Sequence, residues 1–144
     1  MRDPRASMPP ASPFQPNEEK IRRILSGDMK TLNDYANELG QYLANKDVSF
    51  SQLRSILDEV QKVQKVPTKR YDEKRLLLLR PKLAYVVSKQ TRRGTRDAMN
   101  DFKKTLDKFI INTNESNFLN FRYFVEAVIA YHRYHERGHR SEAD

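Results

Sequence analysis

Apolar residues return every three or four positions along most of this chain, and polar breaks divide them into six stretches. Asn17 is a good N-cap before EEKIRRIL, and the acids that follow suit a helix N-terminus. Ser26-Gly27-Asp28 interrupts the pattern, with Asp28 placed to cap a second helix. There Leu32, Ala36, Leu39 and Leu43 recur at i, i+4, i+7 and i+11, an amphipathic stripe. Ser49 to Gln52 has the pattern of a capping box. It opens a third helix whose inward residues are Leu53, Ile56, Leu57, Val60 and Val63. Pro67-Thr68-Lys69-Arg70 marks a break. A fourth helix follows, and Arg92-Arg93-Gly94-Thr95 ends it with Gly94 at C′. Thr95 caps a fifth, with Met99, Phe102, Leu106, Phe109 and Ile110 inward. Asn112 to Ser116 is a polar turn. The last helix, FLNFRYFVEAVIAYHRYHER, ends at Gly138. It turns Phe118, Phe121, Val125, Val128 and Ile129 to one side, with Phe124 and Tyr131 close by. So wide an apolar face places it at the centre of the bundle.

No strand pattern and no internal repeat appears. The expectation is all-α: a compact bundle of about five to six helices over residues 17–138. Residues 1–16 hold five of the seven prolines and no apolar period, and read as a disordered tail. Residues 139–144 read as a polar C-terminal tail.

The fourth helix, KRLLLLRPKLAYVVSKQTRR, is divided by its own periodicity. At about 100° per residue, Leu76, Leu79, Leu83, Val86 and Val87 fall in one inward arc. Arg75, Lys82, Lys89 and Arg93 fall together on another side, at i, i+7, i+14 and i+18. Lys74, Tyr85 and Arg92 flank them. Leu78 points toward this basic side, as if to a partner or another helix. Pro81 cannot donate to the Leu77 carbonyl, so the helix should kink or restart there.

Composition sharpens this picture at one place. The formal net charge is +8. Twelve of the 27 basic residues, and only two of the 19 acids, lie between Lys62 and Arg96. The excess charge is therefore one block, of the kind that faces a polyanion or an acidic partner. The absence of cysteine removes disulfide and thiol chemistry and fits a reducing cytoplasm. No apolar run approaches the length of a membrane span, and no signal-peptide stretch opens the chain.

A basic ridge at one-turn and two-turn spacing suits phosphate contact. An interleaved tyrosine such as Tyr85 can stack on a base. Arg54 follows Ser51 and Gln52 at a helix start, where backbone N–H groups also attract anions. Arg92, Arg93 and Arg96 are expected at a helix end, where cations suit the dipole. The candidate anion contacts on this reading are Arg54, Arg75, Lys82, Lys89, Arg92, Arg93 and Arg96, with Tyr85 as the stacking residue. Glu126, on the rim of an apolar helix, reads as half of an internal salt bridge. His132, His135 and His139 recur at i, i+3 and i+7, a spacing that can gather imidazoles. No cysteine or carboxylate is placed to complete a metal site, so no metal and no cofactor is expected. No phosphate loop, nucleophile elbow or paired-carboxylate motif appears, and no catalytic residue is assigned.

Three stretches, SFSQLRSIL at 49–57, LLRPKLAYVVSK at 78–89 and FRYFVEAVIAYHRY at 121–134, together resemble a known family. It is the small subunit of the type III-A CRISPR effector, the Csm complex, and the likeness spans about residues 18 to 135. The resemblance implies a helical bundle without a catalytic centre, present in several copies along a guide RNA–target RNA duplex. It implies neighbours: other copies, the backbone subunit and the large subunit, which with the backbone carries the complex's catalysis. It carries RNA contact onto Ser51, Gln52, Arg54, Lys82, Tyr85 and Lys89. Where the family often has a small residue, glycine and arginine, this chain has Val87, Ser88 and Lys89. Lysine keeps the charge and loses arginine's bidentate fork.

The leading expectation is a non-catalytic, cytoplasmic RNA-binding subunit serving antiviral defence. A helical adaptor whose basic face meets an acidic protein is the alternative. A metal-dependent nuclease built on the histidines is the third reading.

Overall fold

The computed structural model describes residues 14–65 and 69–143, with side chains in the last helix described as far as Glu136. Among these residues there are six helices and no strand: α1 Glu18–Leu25, α2 Met29–Asn45, α3 Phe50–Val63, α4 Glu73–Ser88, α5 Arg93–Ile111 and α6 Phe118–Ala143. None is long and apolar enough to cross a membrane.

Short polar side chains start four of these helices. Asn17, Asp28, Ser49 and Asp72 each accept a hydrogen bond from the backbone N–H three residues on, at 3.0, 3.1, 3.2 and 3.2 Å. Each satisfies one of the donors that a helix start leaves open. Helix α1 closes in a Schellman turn, with Asp28 N donating to Arg23 O and Gly27 N to Ile24 O. Gly27 takes φ +100°, which only glycine adopts without strain. The same turn recurs after α2, with Asp47 at φ 60° in the position glycine usually fills.

Helix α6 is central, and it packs most extensively against α2. Gly40 makes this possible. A Cβ there would lie 2.8 Å from His132 N and 2.9 Å from both Tyr131 Cβ and Val128 O. The core is aromatic around α6. Phe109 and Phe124 stack with centroids 4.5 Å apart, and Phe109 and Phe121 meet at 5.6 Å. Tyr42 donates to Asp101 at 2.6 Å, tying α2 to α5.

Four expectations need correction, and one is narrowed. The folded part begins before Asn17, because Phe14 packs on Tyr35 and Tyr42 with centroids 5.3 and 5.7 Å away; residues 1–13 of the expected tail lie outside the described residues. Helix α6 does not stop at Gly138 but runs to Ala143. Of the two outcomes expected at Pro81, the restart does not occur: α4 runs on from Glu73 to Ser88 with Pro81 inside it. Pro81 and Leu77 are both exposed, so the carbonyl that loses its donor is on the watered side of the helix. Val86 and Val87 are half-buried rather than core, unlike Leu76, Leu79 and Leu83. Finally, Gly94 and Thr95 do not separate α4 from α5. Helix α4 ends at Ser88, where Gln90 turns its side-chain amide back onto Val86 O at 2.9 Å. Thr95 lies inside α5 and donates to Lys46 O at 2.8 Å instead of capping.

Candidate nucleic-acid interface

Helices α3 and α4 lie side by side, and a groove of about 340 Å3 runs between them. Ser51, Gln52, Lys82, Tyr85 and Lys89, half of the residues expected to touch RNA, all line it. The buried Ile56, Leu79 and Leu83 form its floor, and the half-buried Val86 adds apolar surface beside Tyr85. The helical register explains the gathering. On α4, Leu78, Lys82, Tyr85 and Lys89 follow at i, i+4, i+7 and i+11, one face. That face is open: Leu78 is 56 % and Tyr85 64 % exposed. Leu77, at 53 %, adds a second exposed leucine beside it.

Ser49 caps α3 through the forward half of the expected box only, with Gln52 N donating to Ser49 Oγ. Gln52 returns no side-chain bond to Ser49, so its amide is left to the groove.

The charges of the ridge are not equivalent. Lys82 Nζ is 2.7 Å from Glu59 Oε1 on α3. That hydrogen bond holds the Glu59 carboxyl below its ordinary value. Lys89 meets no carboxylate among the described residues; its ammonium sits 5.2 Å from the centroid of the Tyr85 ring. Arg75 folds back to Asp72, the cap of its own helix, at 3.5 Å. Arg54 pairs with Asp58 at 3.6 Å and does not line the groove. These exposed pairs are weak and exchange readily for another anion.

Arg92, Arg93 and Arg96 sit at the opposite kind of helix end from the one expected. Arg92 is the N-cap of α5 and Arg93 its first residue. Arg93 therefore does not continue the α4 ridge. Cations at an N-terminus oppose the helix dipole by about 0.3–1 kcal/mol each. Arg92 is 3.5 Å from Asp47, while Arg93 and Arg96 have no carboxylate partner among the described residues.

His132 and His135 each meet a neutral oxygen. His132 is fully buried, and its Nε2 lies 2.7 Å from Val48 O. A carbonyl only accepts, so Nε2 carries the proton there. Burial pushes the His132 pKa down. His135 Nε2 lies 2.7 Å from Asn37 Oδ1, and His139 falls outside the described side chains. Among the described residues no group of three or more His, Cys, Asp or Glu side chains is arranged to hold a metal. Glu126 is in the salt bridge expected of it, with Arg122 Nε at 3.4 Å.

Sequence reasoning missed Glu59, the one acid in the groove. Its signal was present: Ser51, Gln52, Ser55 and Glu59 recur on one side of α3, the side turned to α4.

Neither curated proteins nor solved structures gave a match to this chain. The family model described as Csm2 Type III-A matches residues 26–138, which takes in the whole groove. The chain therefore belongs to the Csm2 Type III-A family, the small subunit of the type III-A CRISPR effector complex.

Proposed function

We propose that this subunit binds RNA without catalysing a reaction, and that several copies line the guide RNA–target RNA groove beside the backbone and large subunits. The α3–α4 groove carries this reading: it gathers Lys82, Lys89 and Tyr85 with the polar start of α3. The choice of target along the duplex then belongs to base pairing between guide and target, while the ridge supplies affinity for the backbone. Arg93 and Arg96 add cations that no carboxylate among the described residues balances.

The exposed Leu77 and Leu78 favour a second contact, to a protein neighbour. A docking role on α4 is thus an addition to RNA contact. Purification of the tagged chain from a nuclease-treated lysate tests the two together. The expected result is co-purifying protein subunits plus a guide RNA protected from the nuclease. Protein neighbours without any protected RNA would leave only the adaptor reading.

A further inference from the structure

The α3–α4 groove holds a group that a purely phosphate-binding surface does not call for. Glu59 lines it, with its side chain 21 % exposed. Lys82 and Lys62 both reach the same oxygen, Oε1, at 2.7 and 3.4 Å. Oε2 accepts no hydrogen bond from any described residue. The carboxylate repels phosphate and offsets the charge of Lys82, so Lys89 is left as the net cation of the groove. The half-buried Val86 and the exposed Tyr85 ring give a phosphate nothing, whereas a flat base gains by covering them. Tyr85, largely exposed at the same groove, offers that base a stacking face. The volume of about 340 Å3 falls at the small end of ligand sites, which run to roughly 300–1,000 Å3.

We propose that this groove takes one unpaired RNA base, and that Glu59 Oε2 accepts a hydrogen bond from its exocyclic amino group, so that cytosine is preferred to uracil. The two rings match in size and differ at the atom that matters. Cytosine offers a 4-amino donor, and a carboxylate accepts from it. Uracil offers a carbonyl oxygen at the same place, and two acceptors repel. Lys89 holds the adjoining phosphate. The proposal rests on the reading of this groove as an RNA contact and adds a base to it.

The test is equilibrium binding of the full chain to two short labelled RNAs, one all uridine and one with cytosine at alternate positions. Wild type and Glu59→Gln are compared. Wild type is expected to bind the cytosine-containing RNA about five- to tenfold more tightly, the low end for a base-specific contact. Glu59→Gln is expected to lose that preference while binding the uridine RNA at least as tightly, since a negative charge has gone. Equal affinities in wild type, or a preference that survives in Glu59→Gln, overturn the base site and leave phosphate contact standing. Failure to bind either RNA overturns both.

Discussion

Lys82 Nζ and Glu59 Oε1 meet at 2.7 Å across the seam between α3 and α4, whereas Lys89, two turns along the same face, meets no carboxylate among the described residues and lies 5.2 Å from the centroid of the Tyr85 ring. Two lysines that look alike in the sequence therefore present different charge to a ligand. Lys89→Ala should weaken RNA binding more than Lys82→Ala, because Lys82 must give up Glu59 to meet a phosphate and Lys62 stays 3.4 Å from Glu59 when Lys82 is gone, whereas Lys89 has no carboxylate to give up among the described residues. Anisotropy titrations of both single variants at one salt concentration check this. Equal effects of the two substitutions would mean that the Glu59 pair does not persist in solution.

Gly40 is the close-approach point between α2 and α6. Gly40→Ala would gain helix propensity, about 1 kcal/mol. It would also drive a methyl to 2.8 Å from His132 N and 2.9 Å from Val128 O, both backbone atoms that cannot swing aside. Overpacking of this kind costs about 1–3 kcal/mol, and the rigid neighbours put this site at the upper end. Net destabilisation of about 1–2 kcal/mol is expected in denaturant unfolding. An unchanged midpoint would show that α2 and α6 stand further apart.

Tyr42 and Asp101 join α2 to α5 through a 2.6 Å hydrogen bond. Burial pushes the Tyr42 pKa up, and the hydrogen bond to Asp101 pushes it further, so the hydroxyl keeps its proton and donates. Tyr42→Phe leaves a nearly buried carboxylate short of a donor. A bond to a charged group contributes about 1.5–3 kcal/mol, and a destabilisation in that range is expected on chemical unfolding.

His132 makes stability depend on pH in a stated direction. Its folded pKa is lowered by burial, so below its ordinary value near 6.5 the unfolded chain binds a proton that the folded chain does not. Stability from this group is therefore full at neutral pH and declines as pH falls through that value. The slope for one proton is at most about 1.4 kcal/mol per pH unit. His132→Gln keeps a donor for Val48 O and should flatten that part of the profile. A wild-type profile with no drop between neutrality and pH 5 would contradict the burial of a neutral ring.

Much of the fold is legible in the sequence because local chemistry and long-range packing agree. The caps at Asn17, Asp28 and Ser49 need only a side chain and a backbone N–H three residues away, and all three form as their residue types suggest. The stripes of α2 and α3 repeat cleanly and are buried as expected. The failures arise where a residue has two uses. Thr95 has cap chemistry but bonds to Lys46 O, 49 residues away in sequence, which no local rule reveals. Gly94 looks like a helix stop, yet Gln90 has already closed the helix. Gly40 carries no periodicity of its own, so its role needs α6 beside it. The groove is half legible for the same reason. Lys82, Tyr85 and Lys89 follow from the register of one helix, but Glu59 enters only when a second helix is laid against the first. Arg92, Arg93 and Arg96 do cluster at a helix end, but it is the start of α5 rather than the finish of α4.

The central claim is that the α4 ridge meets phosphates. The most direct measurement is the affinity of the full chain for single-stranded RNA across a salt series, for wild type and the Lys82/Lys89 double alanine. Each phosphate that is no longer neutralised should reduce the slope of log affinity against log salt by about 0.7. A steep wild-type slope that flattens in the double variant is the expected result. Equal slopes and affinities for the two proteins would contradict it and move the RNA-binding surface, or the basic face itself, elsewhere.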